Sequence, residues 1–191
     1  MRAIALAAIL LLGLADAAAQ APYSGDVALT YHWVHTNLPP EGGCGCFGLN
    51  GGGVSGSWNL RSRLALVTEI GAVHGSNLLS TGGSLTLTSY LAGARYKVAQ
   101  PWGRGSHAPQ PFVQLLLGAG HAGGGIAGVA NGSYAFVTRM GGGIDVPLNA
   151  TIALRPIQVD YYLTNFANAD NDRQNNLLLG AGIAFRWSRS K

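Results

Sequence analysis

Alternation with period two runs through this chain. In the stretch Asn176-Leu177-Leu178-Leu179-Gly180-Ala181-Gly182-Ile183-Ala184-Phe185-Arg186-Trp187, the odd positions Leu177, Leu179, Ala181, Ile183, Phe185 and Trp187 fall on one face of an extended strand. Asn176, Leu178, Gly180, Gly182, Ala184 and Arg186 fall on the other. One face is apolar and ends in aromatics; the other is largely small or polar. A strand of a soluble sandwich shares this pattern, so the rest of the chain has to decide between the two.

Seven further segments of about ten residues show the same alternation, separated by turn residues, which predicts eight strands. They cover residues 26–35, 52–60, 63–74, 84–98, 111–122, 133–146 and 151–164. The first sets Val27, Leu29, Tyr31 and Trp33 against Ala28, Thr30 and His32, and the third sets Leu64, Leu66 and Ile70 against Arg63, Ala65, Glu69 and Gly71. In the fourth, Tyr90, Ala92, Ala94 and Tyr96 oppose Leu91, Gly93, Arg95 and Lys97. In the fifth, Val113, Leu115 and Leu117 oppose Phe112, Gln114 and Gly118. In the sixth, Phe136, Met140 and Ile144 oppose Arg139, Gly141, Gly143 and Asp145. The seventh sets Ile157, Val159, Tyr161 and Leu163 against Gln158, Asp160, Tyr162 and Thr164. There Arg155 breaks the alternation, and Pro156 beside it predicts a bulge that turns the guanidinium inward or towards a headgroup layer.

Connections alternate in length. Residues 61–62 and 147–150 make short turns, whereas 36–51, 75–83, 123–132 and 165–175 are longer and rich in Gly, Asn, Asp and Ser. In a transmembrane barrel short turns face the periplasm and long loops face outwards. Residues 99–110 form a long connection where this rule predicts a short one.

The beginning of the chain strengthens the membrane reading. Arg2, the apolar run 3–14 and the small residues 15–19 have the charged, hydrophobic and A-x-A order of a secretory leader, with cleavage expected after Ala19. Residues 20–191 then form one barrel domain. No later run reaches the roughly 18 apolar residues of a membrane-crossing helix. Composition points the same way: 29 glycines and only 10% charged residues suit an apolar exterior around a crowded interior. The net charge is +4. Its Arg and Lys are scattered without a basic cluster, so no nucleic-acid partner is expected, and the charge implies at most a lean towards anionic surfaces such as lipopolysaccharide.

On these residues the chain resembles the outer-membrane β-barrel domain family, the small eight-stranded antiparallel barrels related in architecture to outer-membrane proteins A and X. The resemblance spans nearly all of residues 20–191. Its most specific parts are Tyr90-Leu91-Ala92-Gly93-Ala94-Arg95-Tyr96, similar to the glycine-arginine-aromatic strand of such barrels, and Gly182, Phe185 and Trp187, similar to the terminal signal read by the barrel assembly machinery. The resemblance implies an all-β up-and-down transmembrane barrel in a bacterial outer membrane. It would be a monomer among outer-membrane lipid and lipopolysaccharide, structural or surface-exposed, with no open pore, enzymatic activity, cofactor or metal.

Several residues carry candidate chemistry. Glu69, Arg95, Arg139 and Asp160 all fall on inward faces, and an eight-stranded barrel encloses only enough space for its own side chains, so a lumenal charge network is expected, with Glu69 and Arg95 as partners. A proton or ion path is the alternative. His74-Gly75-Ser76-Asn77 resembles the histidine-x-serine-asparagine run of outer-membrane lipid A deacylases, which implies His74 as base, Ser76 as nucleophile and Asn77 as oxyanion donor; no acid follows to orient His74 until Asp145. Cys44 and Cys46 in the first long loop are read as a disulfide staple, as free thiols or as part of a metal site. Outward aromatics such as Tyr31, Trp33, Trp58 and Trp187 predict interfacial girdles. A soluble periplasmic lipocalin-like barrel is the remaining rival, and it requires the two faces exchanged.

Overall fold

The structure, a computed structural model, describes residues 24–38, 45–78, 83–98, 107–124, 132–167 and 172–188. The predicted leader, residues 1–19, lies outside them. Eight strands follow one another: β1 Gly25–Leu38, β2 Gly45–Asn59, β3 Leu64–Leu78, β4 Gly83–Lys97, β5 Gln110–Gly124, β6 Ser133–Pro147, β7 Ile152–Thr164 and β8 Gln174–Trp187. Each pairs antiparallel with the next, and β8 returns to β1, so the sheet is a closed barrel. Closure satisfies the ladder of every strand and leaves no exposed edge.

The strands are longer than their polarity alternation. β1 continues to Leu38 and β2 begins at Gly45, so most of the loop expected over residues 36–51 is paired sheet, with Thr36 opposite Phe47 and Asn37 opposite Cys46. β3 and β4 likewise extend into the loop expected over residues 75–83. In the glycine-rich segment from Gly48 to Gly53, main-chain pairing continues while side-chain alternation is absent, because a ladder is built from backbone groups. Residues 99–106 of the long fourth connection lie outside the described residues. Its far end is tied down by His107 Nδ1, which donates to the Pro147 carbonyl at 2.9 Å, and by the Val98 amide on the Pro111 carbonyl at 2.8 Å.

The start of β1, the end of β8 and the β2–β3 and β6–β7 turns lie at one end of the barrel, here the turn end; the opposite end is the loop end. In the β6–β7 turn Asn149 Oδ1 accepts the amides of Thr151 and Ile152 at 2.9 and 2.7 Å. β7 carries the expected irregularity: its pairing with β8 shifts between Arg155 and Gln158, and Arg155 is only 1% exposed. The bulge returns the guanidinium to the inside, where Pro156 could not have joined the ladder.

Burial alternates along most of the strand length, lapsing in the glycine runs of β2 and β6, and the barrel is apolar outside. Leu29, Val54, Ile70, Tyr90, Leu115, Met140, Val159 and Ile183, one from each strand, are all exposed. Inside, the two ends differ. Towards the loop end Val34, Phe47, Leu49, Val73, Leu78, Leu85, Leu87, Tyr162, Phe166 and Leu178 pack into an apolar core, which Leu91 and Leu116 continue downwards. Towards the turn end most large buried side chains are charged or amide-bearing, with Phe112 among them, above a small cluster of Ala28, Ala153 and Ala184. The wall is thin where strands approach closely. A Cβ on Gly93 would sit 2.0 Å from the Leu115 carbonyl oxygen, and one on Gly182 would sit 2.1 Å from that of Leu29. Glycine at 182 therefore lets β8 close against β1.

Candidate functional site

The chemically distinctive region is the lower lumen. Period-two geometry delivers Asp26 from β1, Glu69 from β3, Arg95 from β4, Arg139 and Asp145 from β6, Asp160 from β7 and Arg186 from β8 to the inside, and the β7 bulge adds Arg155. Each is at most 5% exposed. With half-buried Lys97, the described residues bring five cationic side chains (Arg95, Lys97, Arg139, Arg155, Arg186) and four carboxylates (Asp26, Glu69, Asp145, Asp160) to the lumen.

Arg139 is the hub of the upper part. Its Nη2 donates to Glu69, and its Nε lies 3.1 Å from Asp160 Oδ2. Gln158 Nε2 donates to Asp160 at 2.6 Å, and Gln114 Nε2 reaches the same carboxylate at 3.4 Å. Arg155 forks onto Asp145 through Nε at 2.8 Å and Nη2 at 3.2 Å, while its Nη1 donates to Gln158. Arg95 donates twice to Gln114 Oε1, at 3.2 and 3.1 Å, and its Nη1 lies 3.7 Å from Asp26 Oδ1. Ser57 Oγ donates to Asp26 Oδ2 at 2.5 Å. The glutamines thus act as couplers, each accepting a hydrogen bond from a guanidinium and donating one to a carboxylate. Phe112 lies between Arg95 and Arg155, whose guanidinium carbons stand 4.4 and 4.7 Å from its ring centroid, so the aromatic face contributes to holding both cations.

The partner expected for Glu69 differs from the one observed. The register sets Glu69 opposite Leu91 and Arg95 opposite Ala65, so the two are offset by four residues along the strands. Glu69 instead pairs across the lumen with Arg139, while Arg95 meets Asp26 and Gln114. Sequence alternation assigns each side chain a face; the stagger of the closed barrel assigns its height and hence its neighbour. His32, Asp26, Asp145, Arg155, Arg186, Gln114 and Gln158 also belong to this network beyond the four residues expected. All but Arg155 obey inward parity, which is the signal that could have found them.

At the top of the network His32 Nε2 stands 3.9 Å from Glu69 Oε1. Beside it is a cavity of about 10 Å³ lined by His32, Val34, Ser89, Arg139, Tyr162 and Leu178 among others. It has room for no more than about one water.

The other singled-out residues sit elsewhere. His74 is exposed on the outer face, its Nδ1 2.9 Å from Thr86 Oγ1. Ser76 is exposed too, and Asn77 adopts a left-handed φ of 52° at the end of β3. Glu69, on the opposite face of β3, is directed away from His74. Cys46 is disulfide-bonded, and the only other cysteine, Cys44, lies outside the described residues. Phe185 and Trp187 are exposed on the outer face of β8. On the outer face Tyr31, midway along β1, donates to Asn50 at 2.6 Å, and Tyr161, towards the loop end of β7, donates to Asn175, so both rings end in polar groups. Trp33 stacks on His35 with centroids 5.7 Å apart.

No protein-family model matches the chain, and no curated protein matches it in sequence. Solved structures do match in shape. Neisserial surface protein A superposes with a TM-score of 0.61 at 13% identity, covering 84% of this chain and 97% of that one. Ail, the attachment invasion locus protein of Yersinia pestis, gives 0.53 at 12% identity over 86% and 99% of the two chains. The N-terminal β-barrel domain of Pseudomonas aeruginosa OprF gives 0.53 at 14% identity over the same shares. The chain has the fold of the small eight-stranded outer-membrane barrels.

Proposed function

We propose that this protein is an integral outer-membrane barrel with a structural or surface-exposed role, without enzymatic activity and without an open pore. One observation carries the reading: every strand exposes large apolar side chains on the outside while the charges are held inside. A soluble lipocalin-like barrel needs the reverse, and in water so wide an apolar surface would drive association. In a bilayer that surface is matched to lipid, and the closed ladder satisfies every strand.

The loop end faces outwards in this reading and the turn end faces the periplasm, because the short turns β2–β3 and β6–β7 lie there. Outer-membrane lipid and lipopolysaccharide are the partners of the outer wall, and Gly182, Phe185 and Trp187 are the signal for the assembly machinery after removal of residues 1–19. The side-chain-filled lumen supports the absence of a pore, and the outward setting of His74 and Ser76, with Glu69 on the opposite face of β3, supports a non-enzymatic role.

Cell fractionation tests the assignment. The protein should stay with outer membranes through carbonate and urea washes and should migrate faster unboiled than boiled in a denaturing gel. Release by carbonate alone would overturn the membrane assignment. An epitope inserted at Gly132 should be detected on intact cells, and one at Ala150 only after the outer membrane is opened; the opposite labelling would invert the topology.

A further inference from the structure

Among the described residues His32 is the one buried histidine, and its Nε2 atom meets no hydrogen-bonding group of the protein. Its carboxylate neighbour Glu69 is buried as well. Glu69 Oε1 stands 3.9 Å from His32 Nε2, beyond hydrogen-bonding reach, and is itself without a partner, because Arg139 donates to the other oxygen of that carboxylate. Buried polar atoms left in this way are rare and require an explanation. A gap of this size is the span of one bridging molecule, since two hydrogen bonds of about 2.8 Å meeting at roughly a right angle cover it.

Two glycines make the room. Gly53 of β2 and Gly71 of β3 face each other in the register and share the inward parity of Glu69. A Cβ on Gly53 would press to 3.0 Å from His32 Cε1 and 3.3 Å from Glu69 Oε1, so main chain closes that side tightly. One on Gly71 would stand at ordinary contact distance, 3.6 Å from Ser89 Oγ and 3.7 Å from Glu69 Oε1. The place of that missing methyl group belongs to the cavity of about 10 Å³ that Gly71 lines together with His32, Ser89, Arg139 and Tyr162. The lining decides what fits. Arg139 disfavours a metal ion or ammonium there, Glu69 disfavours an anion, and the volume admits one molecule of about the size of water. Water donates and accepts, so it can donate to Glu69 Oε1 and serve His32 Nε2 whichever ring nitrogen carries the hydrogen.

We propose that the barrel holds a binding site for a single water molecule between His32 and Glu69, at the level where the charged half of the lumen meets the apolar half, and that this water is a fixed part of the fold. Val34, Leu87 and Leu178 line the same cavity, so the water has apolar side chains above it and the ionic network below. It connects β1 to β3 across a distance that the two side chains do not close. Through Glu69 it joins β1 to the Arg139 hub. The site belongs to the barrel interior and does not depend on the medium around the outer wall.

The test uses the whole mature chain, deuterated except at glycine and histidine and refolded in zwitterionic detergent, with magnetisation transferred from water to protein protons. The Gly71 α protons and the His32 ring protons should show cross-peaks to water with the sign of a long-lived bound molecule rather than of surface solvent. Gly71→Ala places a methyl group in the cavity without crowding its neighbours and should abolish the His32 cross-peaks. Gly56→Ala, whose added Cβ would meet only Thr68 Oγ1 at 3.7 Å, should leave them unchanged. Ser89→Ala should leave them too, because both anchoring atoms remain. Absence of the cross-peaks in the wild-type chain would overturn the proposal, and so would their persistence in Gly71→Ala or their loss in Gly56→Ala. Loss in Ser89→Ala would also overturn it, by showing that a hydroxyl proton exchanging with solvent relays the signal. Titration with sodium or ammonium chloride against choline chloride at constant ionic strength should leave the His32 ring signals in place; saturable shifts would mean a cation in the site and refute a water. Because the wild-type spectra alone can refute the site, a failure of the variants to fold does not shelter it.

Discussion

The two halves of the lumen solve the same problem by opposite means. At the loop end the space between strands is filled by Val34, Leu49, Leu87, Tyr162, Leu178 and their neighbours, and among the described residues no charged side chain is buried there. The few buried polar groups at that end are neutral and locally bonded: Gln174 takes hydrogen bonds from Thr164 and the Phe166 amide and gives one to the Phe166 carbonyl. At the turn end the same volume is filled by guanidiniums, carboxylates and glutamines. An apolar core tolerates imprecise partners because dispersion is non-directional. A charged one does not, because any single removal leaves an ion in a medium that solvates it poorly. The upper half is therefore sensitive to volume and the lower half to charge, and substitutions can separate the two.

The largest expected effect is at the hub. Arg139→Gln leaves Glu69 and Asp160 facing each other without their shared cation and should cost about 3–5 kcal/mol in urea unfolding. Adding Glu69→Gln should recover part of the loss, and the Glu69–Arg139 coupling in a double-mutant cycle should exceed that for Glu69–Arg95, whose members are offset along the barrel. Equal couplings would mean that the register is wrong. In the apolar half, Leu49→Ala should cost about 2–5 kcal/mol by opening a cavity, with no recovery from any charge substitution. On the outer wall, Ile183→Arg should cost about 2–4 kcal/mol if it lies near the bilayer midplane, against less than about 0.5 kcal/mol for Ala150→Arg in the exposed β6–β7 turn. Equal losses at 183 and 150 would argue against a lipid-facing wall. The smallest effect is local: Asn149→Ala removes the acceptor for two turn amides and should cost about 1 kcal/mol.

Strand identity and facing were legible because a barrel wall separates two environments, and Leu66 beside Val67 or Ile183 beside Ala184 can only be sorted one way. The bulge at Pro156 was legible too, since a proline that cannot donate stands next to a charge on the wrong parity. Two things were not. Strand ends at the loop side were hidden in Gly45–Gly53, where pairing is carried by main chain that leaves no side-chain signature. Partner choice in the lumen was hidden because it depends on stagger, which is a property of all eight registers together. That is why Glu69 could be assigned to the inside but not to Arg139. Arg95 is placed on its face in the same way; Gln114 is its register partner on the adjacent β5, whereas Asp26 comes from β1, far from it in sequence.

The pairing of β8 with β1 has a kinetic side. Gly25 lies opposite Trp187 and His35 opposite Leu177, so the contacts that complete the cylinder join residues at the two extremes of the described chain. Every other strand pair is a hairpin of low sequence separation and can zip as soon as its second strand exists. This last seam must wait for β8 and bears the largest loop-closure entropy of the fold. Until it forms, two unpaired edges are open to foreign strands. Substitutions at the seam, such as Gly182→Val where no Cβ fits against Leu29, should therefore slow folding and raise aggregation of the open sheet, while the seven hairpins form at their usual rates.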